Sequence, residues 1–312
     1  MNRAVAATPR SPRSIGILQG TSAYLIWGLL PLYFLLLPQI SAFEFVAVRI
    51  VFSLLFCFLL LALTRQVPAL IGILRDRRTT GRLVIASVLI AVNWTLYAFA
   101  VLTGHVLEAS LGYFINPLVA IALGVLVLKE KLTGLQWVAI GFALVAVVVL
   151  SLGLGRMPWI SLGLAFSFGL YGLVKNQVGQ KGTALATLSV ETIALTPLAL
   201  VFVLILAGQG QSALANGSAA TFWLLTTSGV ITAVPLILFG GAARRLPLST
   251  LGSLQFLAPI GQFLLGLFVF HEVMQVERWV GFILVWIAVV LIIIDMVRAP
   301  GTGNLPEPKS LP

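Results

Sequence analysis

Charged residues are scarce in this chain. Only 9% of its 312 residues are Asp, Glu, Lys or Arg, whereas 60% are hydrophobic, and the mean hydropathy is +1.09. A soluble domain carries about 25% charged residues, so this composition excludes one. Apolar runs of roughly 20 residues, long enough to cross a bilayer, recur from end to end. The alternation in segments of about 10 residues that is typical of a transmembrane barrel is not visible. The sequence therefore predicts an all-α integral membrane protein.

Reactive side chains are equally few. The single cysteine, Cys57, lies within an apolar run and has no second cysteine for an internal disulfide. The sequence contains no phosphate-binding GxxxxGK(S/T) motif, no His/Cys cluster with metal-ligand spacing and no serine in a nucleophile elbow. The only two histidines, His105 and His271, are too few for a proton relay through the membrane. We therefore expect no catalytic residue, no metal and no cofactor.

The apolar runs predict ten membrane-spanning helices in two halves of five. Residues 15–154 form the first half and residues 158–297 the second, and the tails at 1–14 and 298–312 are polar segments that we expect to be disordered and cytoplasmic. The predicted spans are 15–37, 43–63, 83–103, 108–128, 135–153, 158–174, 184–206, 220–241, 248–270 and 278–297.

The net charge of +10 comes from short Lys/Arg clusters between the apolar runs, which argues against a nucleic-acid partner. If the N terminus is cytoplasmic, 16 of the 19 Lys and Arg residues fall on the cytoplasmic side, as the positive-inside rule requires. Arg156 and Arg278 face outward, and Arg49 lies within a span. An even number of spans returns the C terminus to the cytoplasm.

A weak internal repeat relates the two halves. A shift of 142 residues aligns Pro117 with Pro259, Gly124 with Gly266, Glu130 with Glu272 and Trp137 with Trp279. Because each half has an odd number of spans, the halves would insert with opposite orientations, as in many secondary transporters. Chance matching in a biased composition is the alternative.

Five segments carry a resemblance to a known family. They are AYLIWGLLPLYF (23–34), GHVLEASLGYFINPL (104–118), LKEKLTGLQWVAIG (128–141), AFSFGLYGLVKN (165–176) and AARRLPLSTLGSLQFLAPIGQFLLG (242–266). With these segments the chain resembles the RarD-type permeases of the EamA-like branch of the drug/metabolite transporter superfamily. The resemblance implies ten helices in two inverted repeats around a central cavity, and movement of small molecules across the bacterial inner membrane. The chain departs from internal symmetry at His271, where the first repeat has Lys129.

Buried charges predict two clusters near opposite membrane faces. Arg49, His105 and Glu108 lie at similar depth near the outer face, and we expect Arg49 to pair with Glu108 in an outer gate. Glu191 lies at the mirror depth, near the inner-face pair of Arg244 and Arg245. These charges could instead only hold helices together, or Arg49 could extend to the headgroups.

Uncharged polar side chains predict a central cavity. Buried amides and phenols are costly unless they are hydrogen-bonded, so they could line a wet substrate cavity or bond between helices. The set comprises Trp27, Asn93, Tyr97, Tyr113, Asn116, Gln255 and Gln262. The matched mid-span prolines Pro117 and Pro259 predict helix kinks, either as hinges or as static bends. For Glu130 and Glu272, we expect capping of the next helix.

These features together favour a secondary transporter that moves a small organic solute, a drug-like compound or metabolite, by alternating access in the export direction. An ion or solute channel and an uptake carrier are the alternatives. The partners expected are membrane lipid and the small-molecule substrate; a coupling ion such as H⁺ and a homodimer stay open.

Overall fold

A computed structural model describes residues 12–37, 40–128, 132–178, 181–243, 245–246 and 254–298. Secondary structure within these ranges is helical, in agreement with the predicted all-α class. The helices are α1 (Pro12–Leu35), α2 (Ala42–Leu63), α3 (Val67–Arg75), α4 (Arg77–Leu102), α5 (Val106–Leu128), α6 (Gly134–Leu154), α7 (Trp159–Val178), α8 (Ala184–Gly208), α9 (Ala213–Asn216), α10 (Ala219–Ala243), α11 (Leu257–Phe268) and α12 (Val276–Arg298).

Eight of these helices are long and apolar enough to cross a membrane, namely α1, α2, α4, α5, α6, α8, α10 and α12. Two shorter apolar helices, α7 and α11, occupy the positions of the sixth and ninth predicted spans. The sequence did not predict the short helices α3 and α9. The chain is thus a multi-pass helical membrane protein.

Polar residues at the helix starts supply the caps that apolar helices need. Ser41, Thr133 and Thr183 each accept a hydrogen bond from a backbone N–H of the first turn of α2, α6 and α8, respectively. Thr133 and Gln136 form a reciprocal capping box. Gly155 ends α6 with a φ of 62°, a left-handed conformation that glycine adopts without strain. Local sequence therefore fixes where these helices begin and end.

Contacts between loops and helix ends divide the bundle into two faces. At one face, which we call the α1–α2 face, Glu108 meets Arg156, Glu44 meets Ser212 and Glu272 meets the start of α5. At the opposite face, which we call the arginine-rich face, Asp76 meets Lys181 and Thr133 meets Asp295. Arg65, Arg75, Arg77, Arg78 and Arg82 all lie at the arginine-rich face.

Packing brings helices from distant parts of the chain together. α1 packs on α10 and α11, α2 on α8 and α10, α4 on α7 and α8, α5 on α7 and α11, and α6 on α12. At the α1–α11 crossing, a Cβ on Gly28 would stand 3.3 Å from the Ala258 carbonyl oxygen, and one on Gly261 would stand 3.2 Å from the Cα of Gly28. Glycine at both positions lets the two backbones approach closely.

Candidate functional site

Arg49 lies buried inside the bundle, with only 5% of its surface exposed. Its Nε donates a hydrogen bond of 2.5 Å to Thr232 Oγ1 on α10, and its guanidinium lies 4.4 Å from the centroid of the Trp94 ring. The phenols of Tyr97 and Tyr113 are close enough to interact with it electrostatically. The arginine therefore connects α2, α4, α5 and α10.

The predicted pair of Arg49 and Glu108 does not form. Glu108 instead accepts a hydrogen bond of 2.5 Å from Arg156, which follows α6 and is 45% exposed. The prediction was wrong because it compared how deep the two residues lie along their helices and did not consider the direction in which each side chain points. Glu108 is on the first turn of α5 beside the α6–α7 connection, whereas Arg49 extends toward α10.

His105, the third residue of the predicted outer gate, lies in the loop between α4 and α5, where its Nδ1 is 2.9 Å from Thr103 Oγ1. The preceding Gly104 has a φ of 71°, a left-handed turn conformation that suits glycine. His105 thus shares the α1–α2 face with Glu108, and its recorded side-chain partner is the neighbouring threonine.

Glu191 also has a different partner from the one expected. Lys175 at the end of α7 donates a 2.6 Å hydrogen bond to one carboxylate oxygen, and the Tyr171 hydroxyl donates to the other at 3.2 Å. Arg245 instead donates to Gln19 Oε1 and to the Gly241 carbonyl. Arg244, like Glu130, lies outside the described residues.

Glu272 caps a helix, but in the other half of the chain. Its carboxylate accepts hydrogen bonds from the backbone N–H groups of Val106 and Leu107, the first two residues of α5. Arg278 approaches the same carboxylate at 3.9 Å. Burial raises the pKa of Glu272 to about 7, against the lowering effects of these N–H groups and of Arg278. The expected capping of the next helix is thus corrected to capping of α5.

Asn93 is 1% exposed and its amide is fully engaged. Its Nδ2 donates to the Leu164 carbonyl and to Ser167 Oγ on α7, both at 3.1 Å, and its Oδ1 accepts from the Tyr113 hydroxyl at 3.1 Å. Every bond goes to protein rather than to open space. For this residue, the geometry favours the interhelical alternative over the cavity lining.

Three other predicted cavity residues keep a buried oxygen without a hydrogen-bond partner in the described part of the chain. They are the Tyr97 hydroxyl, Asn116 Oδ1 and Gln262 Oε1. Gln262 is 2% exposed, and its Nε2 donates to the Trp27 carbonyl at 3.2 Å. Unpaired buried polar atoms cost about 1–3 kcal/mol each. These three atoms are therefore candidates to bind water or a solute.

Trp27 takes part through its backbone as well as its ring. The indole packs against Tyr24 at a centroid distance of 5.4 Å and against Phe239 at 6.0 Å. Gln255 lies in the turn that precedes α11, seven residues before Gln262, whose Oε1 has no hydrogen-bond partner among the described residues. Trp27 and Gln255 therefore both lie near the α1–α11 crossing.

The two matched prolines have different positions. Pro117 lies within α5, so it removes one helical hydrogen bond there. Pro259 lies in the first turn of α11, where a missing N–H costs nothing, and it is therefore not the mid-helix kink expected. Its carbonyl accepts a 2.8 Å hydrogen bond from Ser110 on α5, which ties the two helices together.

A cavity of about 690 Å³ opens at the α1–α2 face. It is lined by Phe34, Leu35, Leu37, Ile40, Ser41, Val101, Leu102, Gly104 and Phe270. Phe34, which is buried, lies 6.0 Å from Tyr97 between ring centroids, and Tyr97 lies 5.8 Å from Tyr113. Aromatic rings therefore separate this cavity from the polar groups around Arg49.

Sequence reasoning missed the partners Arg156, Lys175, Thr232 and Trp94. Lys175 lies only 16 residues before Glu191, so the short separation of the two residues in the sequence was a usable signal. Trp94 and Thr232 carried no such signal, because they reach Arg49 only through long-range packing.

Comparisons with known proteins are consistent across most of the chain. Residues 14–152 match the EamA-like transporter family. The chain is 50% identical to a protein named RarD from Streptomyces exfoliatus over 91% of its own length and 89% of that protein. It is 42% identical to an uncharacterized transporter, YojE, from Bacillus subtilis over 91% of its length and 95% of that protein.

RarD of Escherichia coli K12 is 37% identical over 90% of this chain and 95% of its own. A protein crystal structure of 16% sequence identity superposes with a TM-score of 0.62, covering 92% of this chain and 99% of that one, which shows a shared fold. With relatives of this similarity over nearly the full length, the chain belongs to the RarD-type branch of the EamA-like family in the drug/metabolite transporter superfamily, and it is a membrane transporter rather than an enzyme.

Proposed function

We propose that this transporter is a secondary carrier that moves a small organic solute across the bacterial inner membrane by alternating access, in the export direction. Ten spans, arranged as two inverted five-helix repeats, surround a substrate site between the halves. The N and C termini are cytoplasmic. The coupling ion is H⁺, and the pH gradient across the membrane drives the transport.

The observation that carries this proposal is the symmetry of helix packing. Let α1, α2, α4, α5 and α6 correspond to α7, α8, α10, α11 and α12. Exchange of the halves then converts the α1–α10 contact into α7–α4, α1–α11 into α7–α5, and α2–α10 into α8–α4. The contacts α2–α8, α5–α11 and α6–α12 convert into themselves. All of these contacts occur, a pattern that supports two related halves able to rock against one another.

Charge distribution supports the proposed orientation. The five arginines at the arginine-rich face, together with Lys175 and Lys181, make that face the basic one. Cytoplasmic loops carry such an excess of Lys and Arg. This supports a cytoplasmic arginine-rich face and an outward α1–α2 face with its cavity.

The unpaired oxygens of Tyr97, Asn116 and Gln262 support a substrate site inside the bundle. Asn116 is on α5 and Gln262 on α11, helices that pack on each other and correspond in the two halves. Binding sites of inverted-repeat transporters lie at such repeat interfaces. One relative from Pseudomonas aeruginosa, 29% identical, is named a chloramphenicol-sensitive protein, which is consistent with a small organic solute.

The test is counterflow in proteoliposomes. Purified protein is first screened by thermal shift against antibiotics, amino acids and nucleotides, and each stabilising compound is loaded into vesicles with and without a pH gradient. A carrier accelerates uptake of external labelled solute when unlabelled solute is inside, and the flux saturates. A flux that rises linearly with concentration and shows no counterflow would establish a channel instead. Faster flux from the cytoplasmic side under a proton gradient supports export, and the reverse supports uptake.

A further inference from the structure

Within the part of the chain that the structure describes, Arg49 is a buried cation without an acidic partner. Seven of the nine acidic residues lie in the described part of the chain, and none of the ion pairs recorded there includes Arg49. Glu108 and Glu191 are occupied by Arg156 and Lys175. Glu44, earlier on the same helix, accepts hydrogen bonds from Ser212 and the Leu214 N–H. The positive charge in this part of the bundle is therefore uncompensated.

The neighbours of Arg49 reduce the cost of this charge but do not cancel it. A hydroxyl and an indole face, from Thr232 and Trp94, are neutral partners. A charged hydrogen bond and a cation–π contact offset part of the desolvation, yet a buried charge without a counter-ion usually marks a functional site in a membrane protein. The surroundings of Arg49 are therefore those of an anion-binding site in which the anion is a bound ligand and not a side chain of the protein.

The Arg49 guanidinium also points toward the interior of the membrane and not toward its surface. Arg49 lies seven residues after the start of α2 at the α1–α2 face, roughly 10 Å along the helix. Its partner Thr232 lies thirteen residues after the start of α10 at the same face, roughly 20 Å along that helix. The side chain therefore points toward the bilayer centre, which excludes extension to the nearby headgroups.

Other groups around Arg49 suit a carboxylate with an apolar body. The Tyr97 hydroxyl is buried, has no hydrogen-bond partner among the described residues, and can donate to a carboxylate oxygen. The Arg49 guanidinium presents a donor fork that fits a carboxylate in a bidentate manner. The rings of Trp94, Tyr97 and Phe34 offer apolar contact on the way from the cavity at the α1–α2 face.

We infer that the substrate of this carrier is a small organic monocarboxylate whose carboxylate binds the Arg49 guanidinium and the Tyr97 hydroxyl. One carboxylate would balance the one positive charge of Arg49. The inference rests on the proposed carrier function only where it calls the bound carboxylate the substrate. The anion site itself is inferred from the geometry around Arg49.

The test compares carboxylates with their neutral amides. Benzoate, phenylacetate and hexanoate are titrated against the purified full chain, each beside its amide, with chloride and inorganic phosphate as further arms, and the thermal transition is followed. We expect the carboxylates to raise the Tm of the wild-type protein and the amides and inorganic anions to leave it unchanged.

Three variants test whether the carboxylate binds at Arg49. Arg49→Gln should weaken carboxylate affinity at least tenfold, because a charge-assisted hydrogen bond is lost, and Arg49→Lys should retain part of it. Arg78→Gln, which removes an exposed arginine at the opposite face, serves as the matched control and should bind like the wild type. Since the charge is uncompensated without ligand, Arg49→Gln should not lower the ligand-free Tm, whereas loss of a purely structural tie would lower it.

The inference is overturned if no carboxylate stabilises the wild type, if amides or inorganic anions bind as well as carboxylates, or if Arg49→Gln binds carboxylates normally. The vesicle assay separates this result from the carrier proposal. Counterflow of a neutral solute that persists in Arg49→Gln would leave the carrier standing without the anion site. Carboxylate flux that needs Arg49 but shows no counterflow would leave the anion site standing without the carrier.

Discussion

Asn93 acts as a junction between three helices. From α4 it donates to two groups on α7 and accepts from Tyr113 on α5. A side-chain amide has two donors and an acceptor that can form such a junction. In a membrane, individual interhelical hydrogen bonds average well under 1 kcal/mol, but a buried amide that loses its partners adds a desolvation cost.

Asn93→Ala should therefore destabilise the bundle without changing substrate preference. The change removes three hydrogen bonds and leaves the Tyr113 hydroxyl without its acceptor, so we expect a loss of about 1–3 kcal/mol. Thermal unfolding in detergent measures the loss, and the substrate panel measures preference. Asn116→Ala is the matched control, because Asn116 Oδ1 has no partner in the described ranges and its loss should change binding more than stability. An unchanged Tm for Asn93→Ala with altered binding would place Asn93 in the substrate site.

The Glu108–Arg156 pair offers a second prediction at this scale. Glu108 is 5% exposed, so removal of Arg156 leaves a nearly buried carboxylate unpaired. Arg156→Gln should lower the Tm more than the exposure of the arginine suggests, and Glu108→Gln combined with it should restore part of the loss. The coupling energy is read from a double-mutant cycle of unfolding temperatures. Purely additive losses would show that the pair does not contribute.

The side-chain partners themselves were the part that sequence could not predict. Burial of Arg49 and Glu108 followed from their place in apolar runs, but their partners depend on rotation about each helix axis. A helix turns about 100° per residue, so the placement errors of a few residues that sequence reading allows change the facing neighbour completely. Trp94 and Thr232 reach Arg49 only because α2 packs between α4 and α10.

At the scale of elements, the start of α5 is held by the other half of the chain. The first N–H groups of a helix lack intrahelical partners, and α5 begins directly after Gly104 and His105. Glu272 supplies the missing acceptor from the α11–α12 connection. This contact links the two halves at the α1–α2 face, so its strength bears on how readily that face opens.

Stability should depend on pH through Glu272. Its pKa is raised by burial from 4.5 to about 7 in the folded protein. Below pH 4.5 the carboxyl is protonated in both the folded and unfolded states. Between pH 4.5 and 7 the unfolded form ionises while the folded form keeps its proton, so stability falls as the pH rises across this window and levels off above it.

The measurement is the free energy of unfolding of the wild type minus that of Glu272→Gln, followed from pH 4 to 8. The glutamine still accepts N–H bonds but does not titrate, so it serves as the matched control for every other titrating group. We expect the difference to shift against the wild type by up to about 3 kcal/mol between pH 4.5 and 7. A difference that is constant with pH, or that shifts in favour of the wild type, would contradict the burial of this carboxyl.

Helix positions were the most predictable feature of the chain. Eight of the predicted spans begin within three residues of an observed helix start, and α4 begins six residues before the third predicted span. Apolar length is a strong signal, and Ser41, Thr133 and Thr183 mark helix starts. The ninth span was predicted from residue 248; residues 248–253 lie outside the described residues, and α11 begins at Leu257 after a turn. Apolarity alone did not reveal the turn at Gln255 and Phe256, where helical hydrogen bonding is interrupted.

At the scale of the whole molecule, orientation is the first consequence of the charge pattern. With Cys57 replaced by alanine, a cysteine at exposed Gln211 on the α1–α2 face should label with a membrane-impermeant thiol reagent in intact cells. One at exposed Arg78 on the arginine-rich face should label only after permeabilisation. Labelling of Arg78→Cys in intact cells would reverse the proposed topology.

The central claim is alternating access to a site between corresponding helices, and accessibility from each side tests it most directly. In a Cys57→Ala background, Asn116→Cys and Gln262→Cys are placed singly in oriented proteoliposomes and treated with an impermeant thiol reagent from one side at a time. Ala146→Cys, fully buried in the bundle, is the control and should stay unreactive. We expect both site cysteines to react from either side, and a stabilising ligand to slow the reaction from both sides. Reaction from one side only, or no reaction in a folded variant, would contradict alternating access at this site.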